Sequence, residues 1–438
     1  MLLSVDDRFP GGRGMDAGSI RDLQPQLEEF LDRFFDCFKR SDTRGHLEKY
    51  VTGQLSHIKR KNVEAIALEC GVPVRTLQEF LSQHVWDEDR MRDRLHEMVA
   101  SEHSHPNSVG IIDETSAVKK GDKTPGVQRQ HLGCVGKQDN GIVTVHLGYA
   151  ADEFHCLLDG ELFLPESWSE DRERCQEAGI PDKMVYRPKT EIGLELYDRA
   201  VANGVVFEWM TFDEWYGSKP HFLHSMDGRD QKFVAEVHCR FVAWTHKPQV
   251  STRAWRKAGR GRGRKTPRLT ANSPKPRYVE DLLRKPVIRD QQWQRWRVKD
   301  GEKGPILWDV KQTTIYVKDE DGLPVGPWQL IICRSVLDPT EVKYFISNAP
   351  LDTPLDVLLL VAFSRWHVER CFQDQKGEVG LNHYEGRRYI GLKRHLILSA
   401  VSFLFLSKAR HELAKKKSGV DGVPDAHGRR STCDVLVA

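Results

Sequence analysis

The chain has 438 residues, of which 39% are hydrophobic and 29% are charged, so it can form a packed core and is longer than one domain usually is. Its 66 basic and 63 acidic residues give a formal charge of only +3, which excludes a polycation that binds nucleic acid through net charge alone. The nine cysteines contain no Cys-x-x-Cys pair, which excludes a zinc ribbon and a thioredoxin-like redox motif.

The first part of the chain has the pattern of helices. Residues 1–18 predict a loose N-terminus, whereas apolar residues recur at helical spacing from about Ile20 to Glu102. Within this segment, a short helix, a turn at Gly71 and a second apolar helix predict a helix-turn-helix, and the basic run His57–Lys61 precedes it. Two interpretations stay open: a module that contacts DNA, or a plain helical bundle.

After Pro106 the periodicity changes from helices to strands. The pattern predicts, in chain order, strands and one helix over Val109–Ile112, Gly141–Tyr149, Phe154–Leu164, Glu191–Ala202 (the helix), Val205–Phe212 and Phe233–Val237. Strands followed by helix, strand, helix and strand are the order of a ribonuclease-H-like core. We therefore predict an α/β protein with an RNase H-like mixed sheet and flanking helices.

A different pattern interrupts this core. Arg253–Arg277 contains ten Lys or Arg residues and no acid, which predicts an exposed basic loop, and a β-rich stretch follows it up to Ser347. Helical periodicity returns over Pro354–Lys376 and Leu392–Leu413. We predict six segments: a flexible N-terminus (1–18), an N-terminal all-helical domain that binds DNA (19–105), the first part of the core (106–250), the basic loop and β-rich insertion (251–350), the C-terminal helices of the core (351–415) and a flexible tail (416–438).

Three acidic residues are candidates for chemistry. Asp113 and Asp213 each follow an apolar strand, and open α/β sheets place their sites at the carboxyl ends of strands. Glu369 lies on a predicted helix, with Arg365 four residues before it and Lys376 seven residues after it. Carboxylates are the ligands that Mg²⁺ prefers, and two such ions can assist an in-line displacement at phosphorus. Taken singly, each acid also has a structural interpretation, as a turn former or a surface ion pair.

The residues around these acids resemble a known family. Ile111 to Gly121 with the following Gly126 to Asn140 is similar to the first catalytic block of bacterial insertion-sequence transposases of the DDE superfamily, and Phe212-Asp213-Glu214-Trp215-Tyr216-Gly217 is similar to the second. Arg365-x3-Glu369-x6-Lys376 has the spacing of their Tyr-Arg-Glu-Lys signature. The resemblance extends from about residue 20 to 415 and keeps the blocks in the family's order.

The resemblance implies a function and a set of residues. Asp113, Asp213 and Glu369 would bind two Mg²⁺ ions, or Mn²⁺ in their place, and carry cut-and-paste cleavage and strand transfer at the terminal inverted repeats of an element. Arg365 and Lys376 would contact phosphates of the DNA end. Further candidates for contacts to double-stranded DNA are Lys119, Lys120, Arg129, Lys257, Arg260 and Arg264. The resemblance further implies a homodimer that binds the terminal repeats and the target DNA. It also implies a bacterial protein that is cytoplasmic, nucleoid-associated and without a membrane segment.

Two departures from the family pattern keep an alternative open. The signature's Tyr falls at Ala362, and Phe212 and Trp215 make the second block bulkier than usual. The alternative is therefore a catalytically inactive DNA-binding regulator derived from a transposase. A weaker one is a glycosidase with paired carboxylates, which needs no divalent metal. Lone histidines, among them His131, His146 and His367, are interpreted as structural.

Overall fold

The structure is a computed structural model, and it describes residues 23–152, 154–252, 266–301 and 304–420. The chain forms two compact units. Among the described residues, the first unit combines the chain up to residue 206 with the segment from residue 366 onwards, and the second unit comprises residues 207–365. The predicted loose segment 1–18 and most of the predicted tail 416–438 lie outside the described residues. The six predicted segments follow changes in sequence pattern and stay a prediction.

The first unit begins with helices that pack on the last helix of the chain. These are α1 (Leu23–Asp32), a 3-10 turn (Phe35–Cys37), α2 (Ser41–Leu55), α3 (Val63–Glu69), α4 (Val74–Ser82) and α5 (Glu88–Glu102), with the final helix α15 (Tyr389–Val420). Helices α3 and α4 lie where the sequence predicts a helix-turn-helix. Asn62 caps α3 through a hydrogen bond from the Ala65 amide, 2.9 Å long, and Gly71 follows α3 with a φ of +64°.

Buried polar side chains join α2 to α15. The Tyr50 hydroxyl lies 2.9 Å from Nδ1 of His395, and the Gln54 amide donates to the Ser399 hydroxyl at 3.0 Å. Because both helices bury these groups, the bonds satisfy side chains that would otherwise be costly in the core. The described part of the chain has one helix long and apolar enough to cross a membrane, Tyr389–Glu412, and 83% of its most apolar window is buried in the protein.

The same unit contains an antiparallel sheet centred on one long strand. Strands β1 (Val109–Val118), β2 (Gln128–Leu132), β3 (Lys137–Ala151) and β4 (Phe154–Leu162) form it, with β3 pairing to all three others. Residues 141–151 of β3 are all buried, because helices cover both faces of this part of the sheet.

Helices of the first unit cover the sheet. They are α6 (Glu166–Glu170), α7 (Arg172–Ala178), α8 (Lys189–Ala202) and α14 (Trp366–Asp374), and α14 continues into a π-helical turn over Gln375–Val379. On the α8 side, the buried carboxylate of Asp159 accepts from Arg199 of that helix at 2.9 Å. Burial raises the pKa of Asp159, but the positive charges of Arg199 and Arg92 outweigh it, so the pKa is lowered and the group stays ionised.

The second unit is built on a mixed sheet. Its strands are β5 (Trp209–Phe212), β6 (Phe233–Val237), β7 (Val242–Trp244), β8 (Val250–Ser251), β9 (Arg268–Leu269), β10 (Arg277–Tyr278), β11 (Gln294–Gly301), β12 (Gly304–Lys318), β13 (Pro324–Ser335) and β14 (Val342–Ser347). β5 pairs with β6 in parallel, and the pairs β6–β14, β14–β13, β13–β12, β12–β11, β12–β7 and β7–β10 are antiparallel. β8 and β9 form a separate pair.

Helices flank the strands of the second unit. They are α9 (Glu214–Gly217), α10 (Pro220–Asp227), α11 (Val279–Leu282), α12 (Pro286–Arg289) and α13 (Leu355–Phe363). α13 packs on β5 and β6. The many apolar residues of α13 predict a buried helix. In the structure Leu358, Leu359 and Val361 are buried.

The α/β class is confirmed, with flanking helices and a mixed sheet that are consistent with an RNase H-like core. The helix over 191–202 and the strand Phe233–Val237 occur where the sequence predicts them. Two predicted bounds of the second part of the chain are wrong, in addition to the end of β1, which lies at Val118 where the sequence predicts Ile112. β5 starts at Trp209 rather than Val205, and the helix predicted over 354–376 breaks at Ser364–Arg365 into α13 and α14.

Candidate acidic site

Asp113 lies in the middle of β1 and not at its end. The strand runs from Val109 to Val118, so the prediction that it ends before Asp113 is wrong. The polar residues that follow Asp113 continue the hydrogen-bonded ladder with β3, in which Asp113 is directly opposite His146. The Asp113 side chain is buried, and one of its carboxylate oxygens accepts from the Glu114 amide at 2.7 Å.

Successive side chains of β1 point to opposite faces of the sheet. Glu114 points to the α8 face, where its carboxylate pairs with Nζ of Lys189 at 2.7 Å. Asp113 therefore points to the other face. Directly opposite residues of an antiparallel pair share a face, so His146 points the same way as Asp113.

Helix α14 covers that face. The His146 ring meets the Phe372 ring edge-on, with the two centroids 5.3 Å apart. Further along β3, a Cβ built on Gly148 would lie 3.3 Å from Cγ2 of Val368, so the helix passes close to the strand there. Gly148 is opposite Ile111 in β1. α14 therefore packs along β3 beside the stretch of β1 that contains Asp113.

Glu369 sits in the first turn of α14, between the two residues that pack on β3. Val368 precedes it, and Phe372 lies three residues later on the same side of the helix. Unlike those two buried residues, Glu369 is exposed. The packing thus places the helical segment that contains Glu369 beside the part of the sheet that contains Asp113.

The two basic residues of the predicted signature lie on either side of α14, one before the helix and one after it. Arg365 lies in the turn directly before α14, where the helix predicted as continuous over 354–376 is interrupted. Lys376 follows the helix, in the π-helical turn, and is half-buried. Burial lowers the pKa of Lys376, and Cys134 acts in the opposite direction.

Asp213 belongs to the second unit and follows the last residue of β5, as the sequence predicts. Its side chain caps α9: one carboxylate oxygen accepts from the Tyr216 amide at 3.0 Å. Gly217, the last residue of α9, packs so closely on β6 that a Cβ added to it would overlap the backbone carbonyl of Glu236. The structural interpretation of Asp213 as a turn former is therefore satisfied, and its second oxygen is not used in the cap.

Carboxylate oxygens suit a hard divalent cation, so the chemistry of Asp113, Asp213 and Glu369 fits the ions implied by the family resemblance. Within the described residues, no three His, Cys, Asp or Glu side chains stand close enough together to hold a metal ion.

The predicted DNA-contacting residues have contrasting surroundings. Lys120 and Arg129 are exposed, whereas Nζ of Lys119 donates to the backbone carbonyls of Asn382 and Tyr384 at 3.2 and 2.5 Å. Burial lowers the pKa of Lys119 to about 8. The remaining candidates, Lys257, Arg260 and Arg264, lie outside the described residues.

His146 was expected to be structural, and it is 2% exposed. Its Nε2 lies 2.8 Å from the Thr144 hydroxyl, and burial lowers its pKa to about 4, so the ring is neutral at physiological pH. Its position opposite Asp113 could not be found from the sequence, because that requires the register of β1 and β3. The alternation of apolar residues around His146 gives only the face to which it points.

Comparisons with known proteins identify relatives of this chain. A family model described as DDE superfamily endonuclease matches residues 33–305, which include Asp113 and Asp213 but end before Glu369. The chain is also 31% identical over 370 residues to a protein of Microchaete diplosiphon named probable transposase for insertion sequence element IS701, and the match covers 82% of this chain and 83% of that protein. The chain therefore belongs to the DDE superfamily of endonucleases.

Proposed function

We propose that this protein is a transposase that cleaves DNA strands at the terminal inverted repeats of its element and joins the freed ends to a target by a cut-and-paste route. The observation that carries the proposal is the packing of α14 beside β1, since it brings an exposed Glu369 to the region of the buried Asp113 in a chain similar to a probable transposase. Asp213 at the end of β5 supplies the third carboxylate of the proposed set.

These carboxylates would hold the divalent cations, proposed to be two Mg²⁺ ions or Mn²⁺, that when bound polarise the phosphate and assist the attacking and leaving oxygens. The protein's own residues have separate tasks. Asp113 is held in a covered strand and keeps a fixed direction, because the Glu114 amide bonds one of its oxygens. Glu369 stands at the start of α14, where the helix dipole favours a negative charge.

The chemistry is two successive displacements at phosphorus. In the first, a water oxygen bonds to the phosphorus at the element's end, the bond from phosphorus to the 3′ oxygen breaks, and the strand is left with a 3′-hydroxyl. In the second, that hydroxyl loses its proton and its oxygen bonds to a phosphorus of the target, where the target's own 3′ oxygen leaves. Each step forms one P–O bond and breaks one, so no oxidant or further co-reactant is required.

Basic side chains near the proposed site would hold the DNA in place. Lys376 is half-buried at the end of α14, and Arg365 precedes that helix, so both can direct a phosphate towards Glu369. Lys120 and Arg129 are exposed on the first unit and suit contacts to the DNA backbone. The surroundings of Lys119 favour an internal role, since two carbonyls already accept from its amine.

The test is a cleavage assay on purified variants with DNA that contains the element's ends. Asp113→Asn, Asp213→Asn and Glu369→Gln should each abolish Mg²⁺- or Mn²⁺-dependent cleavage and leave DNA binding intact, since each removes an anionic ligand without removing a basic contact. Each has a matched control that changes a nearby carboxylate: Glu114→Gln on the opposite face of β1, Glu214→Gln beside Asp213, and Glu378→Gln after α14. The controls should still cut; a metal-dependent activity that survives in any of the three variants would remove that residue from the set.

A second candidate function, a regulator that binds the ends without cutting them, is favoured by two observations. Asp213 already serves as the cap of α9, and the position of the signature Tyr is occupied by Ala362, which is buried in α13. A nicking assay with Mn²⁺ separates the two functions, because the regulator binds the ends and leaves both strands whole. Membership of an endonuclease superfamily gives no support to the glycosidase alternative.

The remaining expectations stay proposals. Two ends have to be processed together, which is the reason to propose a homodimer on the DNA. The substrate requires a protein that works beside the bacterial chromosome, and hence a cytoplasmic, nucleoid-associated one. Size-exclusion chromatography with and without DNA ends tests the first of these.

A further inference from the structure

We propose that His146 is a positioning residue of the acidic site, which sets the height of α14, and with it Glu369, above Asp113. The inference rests on the proposed function, since it concerns the same carboxylates. It follows from the position of one buried ring: His146 is opposite Asp113 in the β1–β3 ladder, and its ring packs against Phe372, one helical turn after Glu369.

The space for this ring is made by a glycine on the next strand. Gly160 of β4 is opposite His146 in the β3–β4 ladder, and a Cβ built on Gly160 would overlap the imidazole. The ring is thus held between the bare backbone of β4 on one side and Phe372 on the other. Because core side chains pack at the density of a crystal, the ring cannot shift towards β4, and α14 cannot move closer to the sheet.

A hydrogen bond fixes the ring in its plane. Nε2 of His146 lies 2.8 Å from the Thr144 hydroxyl, and Thr144 is the next residue on the same face of β3. Ring, glycine and hydroxyl together leave His146 one conformation. A second close contact between α14 and β3 lies at Val368. A Cβ added to Gly148 of β3 would be 3.3 Å from Cγ2 of Val368. Two contacts of one helix on one strand then determine where Glu369 lies relative to Asp113.

Two substitutions should disturb this arrangement from opposite directions. His146→Ala removes the spacer, so α14 loses its support at Phe372. Gly160→Ala adds a methyl group that pushes the His146 ring towards α14, although Gly160 lies on β4 and is opposite His146, not Asp113. In the double variant the methyl group has room, so Gly160→Ala should have no further effect once the ring is absent. Such non-additivity is expected only when both changes act through the same side chain.

The experiment has two readouts. The first is amide hydrogen exchange of residues 366–374 in the full-length protein, which should become about tenfold faster in His146→Ala because local opening becomes easier. The second is the Mn²⁺ concentration that gives half-maximal cleavage, which should rise on the order of 10- to 100-fold, the usual effect of losing a partner that orients metal ligands. Phe154→Ala is the control, since it removes a buried ring of the same sheet that packs on His103 instead of α14.

The outcomes separate the inference from the proposed function. If His146→Ala exchanges amides of 366–374 at the wild-type rate, or if Phe154→Ala shifts the Mn²⁺ requirement as much, His146 has only a general role in stability and the inference is wrong. If the wild-type protein does not cut DNA at any Mn²⁺ concentration, the proposed function fails, while hydrogen exchange and the double variant still decide whether His146 positions α14.

Discussion

Lys119 and Lys120 are neighbours in the sequence, but the structure gives them different tasks. The ammonium group of Lys119 is turned inwards and bonds two backbone carbonyls in the loop before α15, whereas Lys120 is exposed. The amine of Lys119, with its two carbonyl acceptors, joins the end of β1 to that loop, whereas the exposed amine of Lys120 is available to an anion. Sequence alone gives both residues the same interpretation, since it shows their charge but not which of them points inwards.

Replacing Lys119 should therefore destabilise the fold, and replacing Lys120 should not. Lys119→Met keeps the apolar stem but leaves the carbonyls of Asn382 and Tyr384 without their donor, so we expect a loss of about 1–3 kcal/mol in the free energy of unfolding. Urea unfolding at pH 7 measures it, with Lys120→Met as the matched control, which should stay within about 0.5 kcal/mol of the wild type. Equal losses in both variants would contradict the internal role of Lys119.

The same residue predicts a pH dependence. Burial lowers the pKa of Lys119 to about 8 in the folded state, below the ordinary value of 10.5. Between these values the unfolded chain holds more protons on this group than the folded chain, so the contribution of Lys119 to stability rises with pH from about 8 to 10.5. Unfolding free energies of the wild type and Lys119→Met, measured at pH 7.5 and 9.5, should diverge in favour of the wild type; a constant difference would contradict the lowered pKa.

At the scale of elements, one arginine of α15 joins that helix to the end of α4. The Arg394 side chain is 6% exposed, and its guanidinium donates to the carbonyls of Phe80, Leu81 and His84 at the end of α4. It also donates to the carboxylate of Glu88 at 3.1 Å. The last carbonyls of a helix have no partner inside it, so this guanidinium serves as the cap of α4.

Arg394→Lys should therefore behave as a severe substitution. A lysine keeps the charge but has a compact ammonium, which cannot reach carbonyls spread over several residues as the planar guanidinium does. We expect a loss of about 2–4 kcal/mol, since buried polar groups are left unpaired. Lys393→Met is the control: this lysine pairs with Asp89 near the surface, so its loss should cost less than about 1 kcal/mol. Similar thermal unfolding of both variants would show that Arg394 is not the cap we infer.

Several elements show what the sequence can and cannot predict. The helix before Asn203 and the strand β6 follow from local signals, a C-terminal Gly204 and a short apolar run. β1 extends beyond its apolar run because pairing with β3 continues through polar residues, and no local pattern encodes that pairing. The break at Ser364–Arg365 is equally invisible in the sequence, since both flanking helices have continuous helical periodicity.

The candidate site was predictable to a similar degree. The place of Asp213 at the end of β5 follows from the apolar strand before it. The role of Asp213 as a cap and the position of His146 do not, because the first depends on a four-residue helix and the second on strand register. Local residue types thus indicate which side chains are candidates for the site, and tertiary pairing decides how these side chains are supported.

At the scale of the whole molecule, chain order and compact units do not coincide. The first unit needs the residues after 366 to complete it, since α15 packs on β4 and on the N-terminal helices. Residues 207–365 form a unit of their own. Sequence patterns mark where strands give way to helices, but they cannot show that the last helix folds with the first ones, because that contact spans most of the chain.

The charge of the molecule leads to a prediction about DNA affinity. With a net charge of only +3, binding has to depend on local clusters, and each phosphate contact adds about 0.9 to the steepness with which log Kobs falls against log salt concentration. Lys120→Gln with Arg129→Gln should lower that slope by about 1.8, and Lys257→Gln, Arg260→Gln and Arg264→Gln together by about 2.7, if all of them contact phosphates.

A neighbouring lysine provides the control for this titration. Lys123 is exposed and lies 3.1 Å from the carboxylate of Glu177, which already balances its charge, so Lys123→Gln should leave the slope unchanged. Fluorescence anisotropy with a labelled DNA end, measured from 50 to 200 mM salt, gives all the slopes. A lower slope in only one of the two clusters would assign the backbone contacts to the first unit or to the predicted basic loop; wild-type slopes in both would contradict the proposal that these residues contact phosphates.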